Sequence, residues 1–133
     1  MTLSARGPFE MKIASQKPDN PQAETSGHGR MSIDKQFHGD LAGASQGEML
    51  SFMTSTKGSA AYVAIEKVTG TLGGRTGTFA LAHTGTMTRG EPHLVIRVVP
   101  DSGTGELAGI SGTMNIIIAP GGEHSYEFEY VLP

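Results

Sequence analysis

Hydrophobic and polar positions alternate along most of this chain, and a period of two predicts strands with one buried face. The alternation is cleanest from Gly77 onward. Gly77, Phe79, Leu81, His83, Gly85 and Met87 fall on one face, against Thr78, Ala80, Ala82, Thr84 and Thr86 on the other. The preceding run splits into Tyr62, Ala64, Glu66 and Val68 against Val63, Ile65, Lys67 and Thr69. Between them, Leu72-Gly73-Gly74-Arg75 offers paired glycines that can take positive φ in a tight turn. Gly58 to Thr88 therefore reads as two long strands joined by a hairpin. His83 is in phase with Phe79 and Leu81, so it is expected on the buried side.

The rest of the chain follows the same rule. Arg6 to Ser15 reads as a first strand, with Phe9, Met11 and Ile13 on one face. Gln16 to Gly29 has two prolines and no large apolar residue, and is expected to be a mobile loop. Met31 to Leu41 resumes alternation, with Ile33, Phe37 and Leu41 on a face interrupted by Lys35. Ala42 to Gln46 reads as a turn and Gly47 to Ser55 as a strand, although Met49, Leu50 and Met53 would also share a helix face. Arg89 to Pro92 is a turn, His93 to Pro100 a β-branched strand, and Leu107 to Ala119 a long strand with glycines at 109 and 112. Ser125 to Leu132 closes the chain, with Tyr126, Phe128 and Tyr130 on its apolar face.

About eight strands with short turns predict an all-β fold whose neighbours pair antiparallel as a meander. Eight strands can close into a barrel that is filled by side chains or holds one small ligand. Closure also removes exposed edges. A two-sheet sandwich is the alternative.

Composition narrows the class. The chain has 133 residues, enough for one domain with a core, so residues 1–133 are read as a single domain. Net charge is −3, which gives no basic surplus for nucleic acid or an anionic membrane. No cysteine is present, so disulfides, thiolate metal sites and cysteine nucleophiles are excluded. The first residues lack the apolar core of a signal peptide, and no apolar run approaches the roughly 20 residues that span a bilayer. A soluble cytoplasmic protein is expected, and a homo-oligomer is compatible with these numbers.

Several runs resemble a known family: Met31 to Ala42, Gly47 to Ser51, Gly58 to Thr84, Val98 to Asn115 and His124 to Leu132. Together they are similar to the bacterial DUF3224 family over nearly the whole chain, from about Arg6 to Leu132. The resemblance implies a barrel like that of allene oxide cyclase, with eight antiparallel strands, and no assigned reaction. It also implies a glutamine before the histidine, where this chain carries Ala82.

A barrel lumen gives these residues a chemistry. A carboxylate near a tyrosine in an apolar cavity has a raised pKa and serves as general acid or base. Glu66 is the candidate, with His83 its partner and Tyr62 an orienting donor. This equipment suits isomerisation or cyclisation of a small apolar ligand, with neither cofactor nor metal. Phe79, Leu81, Met87, Arg97, Tyr126, Phe128 and Tyr130 are expected to line the ligand site. The competing reading pairs Glu66 with Arg75 or Arg97 at a rim and leaves His83, Tyr126 and Tyr130 as satisfied core residues. It describes a non-catalytic barrel with a packed lumen and a surface serving protein contacts. A cavity of at least about 300 Å³ reached by Glu66 or His83 separates the two.

Other motifs carry less. His38, Asp40 and Asp34 share a strand face, but no His-x-His or His-x-x-x-His pair supports a metal site. Gly103 to Ala108 matches a dinucleotide fingerprint, yet a strand pattern follows where a helix is required.

Overall fold

The structure is a computed structural model that describes residues 1–133. Its strands are β1 (Leu3–Ser15), β2 (Gly29–Phe37), β3 (Leu41–Met53), β4 (Ala60–Leu72), β5 (Arg75–Thr88), β6 (Glu91–Val98), β7 (Thr104–Gly105), β8 (Ser111–Ile118) and β9 (His124–Val131). One short helix, α1 (Pro21–Ser26), lies between β1 and β2.

Eight of these strands close an antiparallel barrel. Each pairs with the next in the chain, β6 pairs with β8, and β9 returns to β1. The two-residue β7 takes over as partner to Gly77 and Thr78 of β5, beyond the point where β6 leaves it. The meander and its closure are as the alternation predicts. No helix is long and apolar enough to cross a membrane.

The central hairpin forms as expected. Gly73 and Gly74 both have positive φ, at 57° and 85°, and link Leu72 directly to Arg75. Several element boundaries differ from the pattern: β1 begins at Leu3, the expected strand from Met31 to Leu41 ends at Phe37, β6 begins at Glu91 within the expected turn, and three further stretches depart from it. Ala42 to Gln46 is not a turn, because β3 begins at Leu41 and the reversal is His38 to Asp40. The small residues there serve close packing: a Cβ on Gly47 would overlap the Ile65 carbonyl oxygen on β4. Leu107 to Ile110 is not strand; both residues turn inward and are buried at one end of the barrel. The loop from Gln16 to Gly29 contains α1, because Asn20 caps it by accepting from the Ala23 N–H, Pro21 fits the first turn, and Gly27 ends it at φ 72°.

The lumen is filled unevenly. At the end nearest the β4–β5 turn, Phe37, Leu41, Leu72, Phe79, Leu107, Phe128 and their neighbours form a continuous core. Phe128 stacks between Phe79 and Tyr130, with ring centres 5.7 and 5.2 Å away. Burying each such side chain contributes roughly 1.5–3 kcal/mol. Tyr126 anchors this end by its hydroxyl, which accepts from the Leu41 N–H at 2.8 Å and donates to the His38 carbonyl at 2.7 Å. The other end, where β1 leaves and β2 enters, lacks such a plug.

Candidate functional site

A polar layer divides the packed half of the lumen from the open half. Its centre is Glu66, which is fully buried. Glu66 Oε1 accepts from Ser45 Oγ at 2.7 Å. Its Oε2 accepts from Lys35 Nζ at 2.9 Å and lies 2.5 Å from His83 Nε2. These four residues come from β2, β3, β4 and β5.

The register explains how they meet. Ala64 lies opposite His83 and Glu66 opposite Leu81, so Glu66 and His83 are diagonal neighbours on the inner face. Lys35 is one strand further away, on β2. Ser45 lies opposite Lys35, and Gly47 lies between Ile33 and Glu66. With a serine and a glycine there, nothing bulky on β3 stands between the ammonium and the carboxylate. Lys35 also sits 5.2 Å from the Phe9 ring centre and 5.9 Å from that of Phe37, within cation–π range of both.

The carboxylate titrates opposite to the expectation from sequence. Burial pushes the Glu66 pKa up, but the His83 hydrogen bond and the charges of Lys35 and His83 outweigh it and bring it down to about 2. Glu66 is therefore an anion at neutral pH, not a proton donor. Its expected partner at a rim was Arg75 or Arg97; both are exposed, and Lys35 takes that place.

Above this layer the lumen is hollow. A chamber of about 250 Å³ has Lys35, His83 and Ala64 as its polar-layer side, with walls that include Phe9, Ile33, Met49 and Ile116. A second chamber of about 410 Å³ lies at the mouth, and Met49, Tyr62, Leu94 and Ile118 border both. Glu66 borders neither, so His83 and Lys35 face the cavity and Glu66 stands behind them. Tyr62 rests over Gly85, with its ring centre 6.5 Å from that of His83. Burial and the Glu66 charge push its phenol pKa up, which keeps it a neutral donor.

Of the residues expected to line a ligand site, only Met87 borders the hollow, at the mouth. Phe79, Leu81, Tyr126, Phe128 and Tyr130 face inward as expected, but they belong to the packed core. Periodicity gives their face and not their height along the barrel. Arg97 is exposed, because Ile96 and Val98 take the inward positions of β6. Lys35 and Ser45 are the members of the polar layer that sequence reasoning missed. Their signal was the inward phase of Lys35 between Ile33 and Phe37, which reads locally as an interruption. Ala82 points outward, between Ile65 and Arg97 in the sheet, so the departure there does not touch the lumen. His38 pairs with Glu10 at 2.8 Å, and Asp40 accepts from the Arg6 N–H at 3.0 Å, which disperses the suspected His38 cluster.

The family model described as "Protein of unknown function (DUF3224)" matches residues 5–130. The structure is similar to a crystal structure of a protein with unknown function from the DUF3224 family of Shewanella oneidensis MR-1. That protein is 47% identical, the match covers 100% of this chain and 98% of the other, and the TM-score is 0.91. No curated protein matches the chain.

Proposed function

The chain belongs to the DUF3224 family of proteins of unknown function, and from that starting point we propose that it is a small-molecule binder whose half-filled barrel receives a mostly apolar ligand. One observation carries this reading. The lumen is packed at one end and hollow at the other, and the hollow is lined by ten hydrophobic residues, Tyr62 among them, with Lys35, His83 and His124 as the remaining members. The inner chamber alone, at about 250 Å³, falls a little below the usual range for a ligand pocket. With the mouth chamber sharing four of its wall residues, the space suits a small ligand that extends toward solvent.

The same arrangement favours one kind of chemistry if the ligand is turned over. His83 faces the cavity and is held at Nε2 by a buried carboxylate, an arrangement that orients an imidazole for proton transfer through its other nitrogen. His83 would move the proton, Glu66 would position it, and Tyr62 would orient the ligand. A cofactor-free isomerisation or cyclisation fits this set. The acid–base role expected for Glu66 thus passes to His83.

The test is native mass spectrometry of the purified protein beside Ala64→Phe. Ala64 is buried beneath the chamber, between Met49 and His83. A phenyl ring there fills the space and leaves the polar layer chemically intact. Wild type is expected to retain a small molecule that Ala64→Phe releases. Equal retention by both, or by neither, overturns the reading.

A further inference from the structure

We propose that the ligand is an amphiphilic anion, with a carboxylate-like head on Lys35 and His83 and an apolar body running up to the mouth. This inference rests on the reading of the hollow as a ligand site. It draws on the distribution of charge around the cavity, which that reading does not use.

The chain carries 13 Asp and Glu side chains against 10 Lys and Arg, yet no carboxylate borders either chamber. Apart from the Tyr62 phenol, which stays neutral, the charged or titratable residues that do are Lys35, His83 and His124 in the inner chamber and His93 at the mouth. All are cationic or able to become so. The one acid nearby, Glu66, is covered on both oxygens by Ser45, Lys35 and His83 and has no surface in the cavity. A ligand entering the barrel therefore meets the donor side of the network.

Two groups there have hydrogen-bonding capacity left over. Lys35 is 5% exposed, and its ammonium carries three N–H bonds, of which Glu66 accepts one. His83 is 6% exposed, and Nε2 alone is bonded, leaving Nδ1 without a partner. A carboxylate accepts from two donors at once and forms strong charge-assisted bonds. Seated between Lys35 and His83, it would be taken up together with one proton on His83 Nδ1, which gives a set of two cations and two anions, with Glu66 as the other anion. A cationic head would meet uncompensated like charge at the same spot. A neutral alcohol can accept from Lys35 and donate to Nδ1 of a neutral His83, but it brings no counter-charge and forms fewer charge-assisted bonds.

The head fixes the direction of the rest. Above Lys35 and His83 the walls are Met49, Leu94, Ile116 and Ile118, then Met87 at the mouth. An unbranched or weakly branched hydrocarbon suits this lining, and methionines adapt to its exact shape.

Calorimetry with three probes of equal chain length tests the proposal: decanoate, 1-decanol and decylammonium, each titrated into wild type and the double variant K35M/E66Q. The double variant removes the cation and the anion together, so no lone charge is left buried; its thermal unfolding is recorded alongside. Decanoate is expected to bind wild type at least about tenfold more tightly than 1-decanol, as charge-assisted bonds imply. In K35M/E66Q that preference is expected to disappear while 1-decanol affinity stays within about threefold. If 1-decanol or decylammonium binds wild type as well as decanoate, or if the preference survives in the double variant, the anionic head is overturned and the binding cup stands. If none of the three binds wild type, the cup itself is overturned, and the anionic head with it.

Discussion

Glu66 and His83 are diagonal neighbours on adjacent strands, joined at 2.5 Å between Oε2 and Nε2. Neither group could be buried alone at this depth without a large cost. Together with Lys35 and Ser45 they form a closed polar layer that lets a carboxylate sit fully buried inside a barrel. The layer is the floor of the hollow and the roof of the packed core, so the same four side chains separate the two halves of the lumen.

Removing one member of the layer should be far worse than removing two. Glu66→Ala leaves the Lys35 ammonium buried without its counter-charge, and a loss of about 3–5 kcal/mol is expected. K35M/E66Q should lose markedly less than Glu66→Ala. Urea unfolding of the wild type, Lys35→Met, Glu66→Gln and K35M/E66Q gives the coupling energy. Simple additivity would show that the pair is not coupled.

Acid should weaken the fold through Glu66. Its pKa falls from 4.5 to about 2 on folding, so the folded state binds the proton less readily than the unfolded chain. The stabilisation is complete above about pH 4.5 and is lost as pH falls toward 2. The shift corresponds to on the order of 3 kcal/mol. Between those pH values the stability of wild type should drop more steeply than that of Glu66→Gln. Parallel curves for the two proteins would contradict this.

Tyr126→Phe should destabilise the closed end without affecting ligand retention. The substitution keeps the ring and deletes the hydroxyl that joins the Leu41 N–H to the His38 carbonyl. A cost of about 1–3 kcal/mol is expected for the groups left unpaired. Thermal unfolding measures the first effect, and native mass spectrometry of bound material measures the second.

Two glycines should respond differently to alanine. A Cβ at Gly47 would run into the backbone of Ile65 and Glu66, which cannot move without disturbing the β3–β4 pairing. A Cβ at Gly85 would run into the Tyr62 ring, which can swing toward the mouth. Gly47→Ala is expected to lower the melting temperature substantially. Gly85→Ala should lower it less and narrow the cavity instead, so its clearer signature is weaker binding of decanoate in calorimetry. A larger thermal loss for Gly85→Ala would reverse this ranking.

The inward face of nearly every strand was legible in the sequence. Phe79, Leu81 and His83 on β5, and Tyr126, Phe128 and Tyr130 on β9, lie where alternation puts them. So do the tight turn at Gly73-Gly74 and the antiparallel meander. These follow from the two-residue repeat of an extended chain and from the backbone freedom of paired glycines, and both are local properties. The height of each residue along the barrel was not local. It depends on strand register and on the stagger that closure imposes, and these decided that Phe128 packs in the core while Met49 borders the hollow. The partner of Glu66 was hidden for the same reason. Lys35 lies 31 positions earlier and reaches it across β3, over a serine and a glycine whose smallness means nothing until three strands stand side by side. Only then does a lysine that breaks an apolar run become the counter-charge of a buried carboxylate, and the sign of the Glu66 pKa shift follows from that contact.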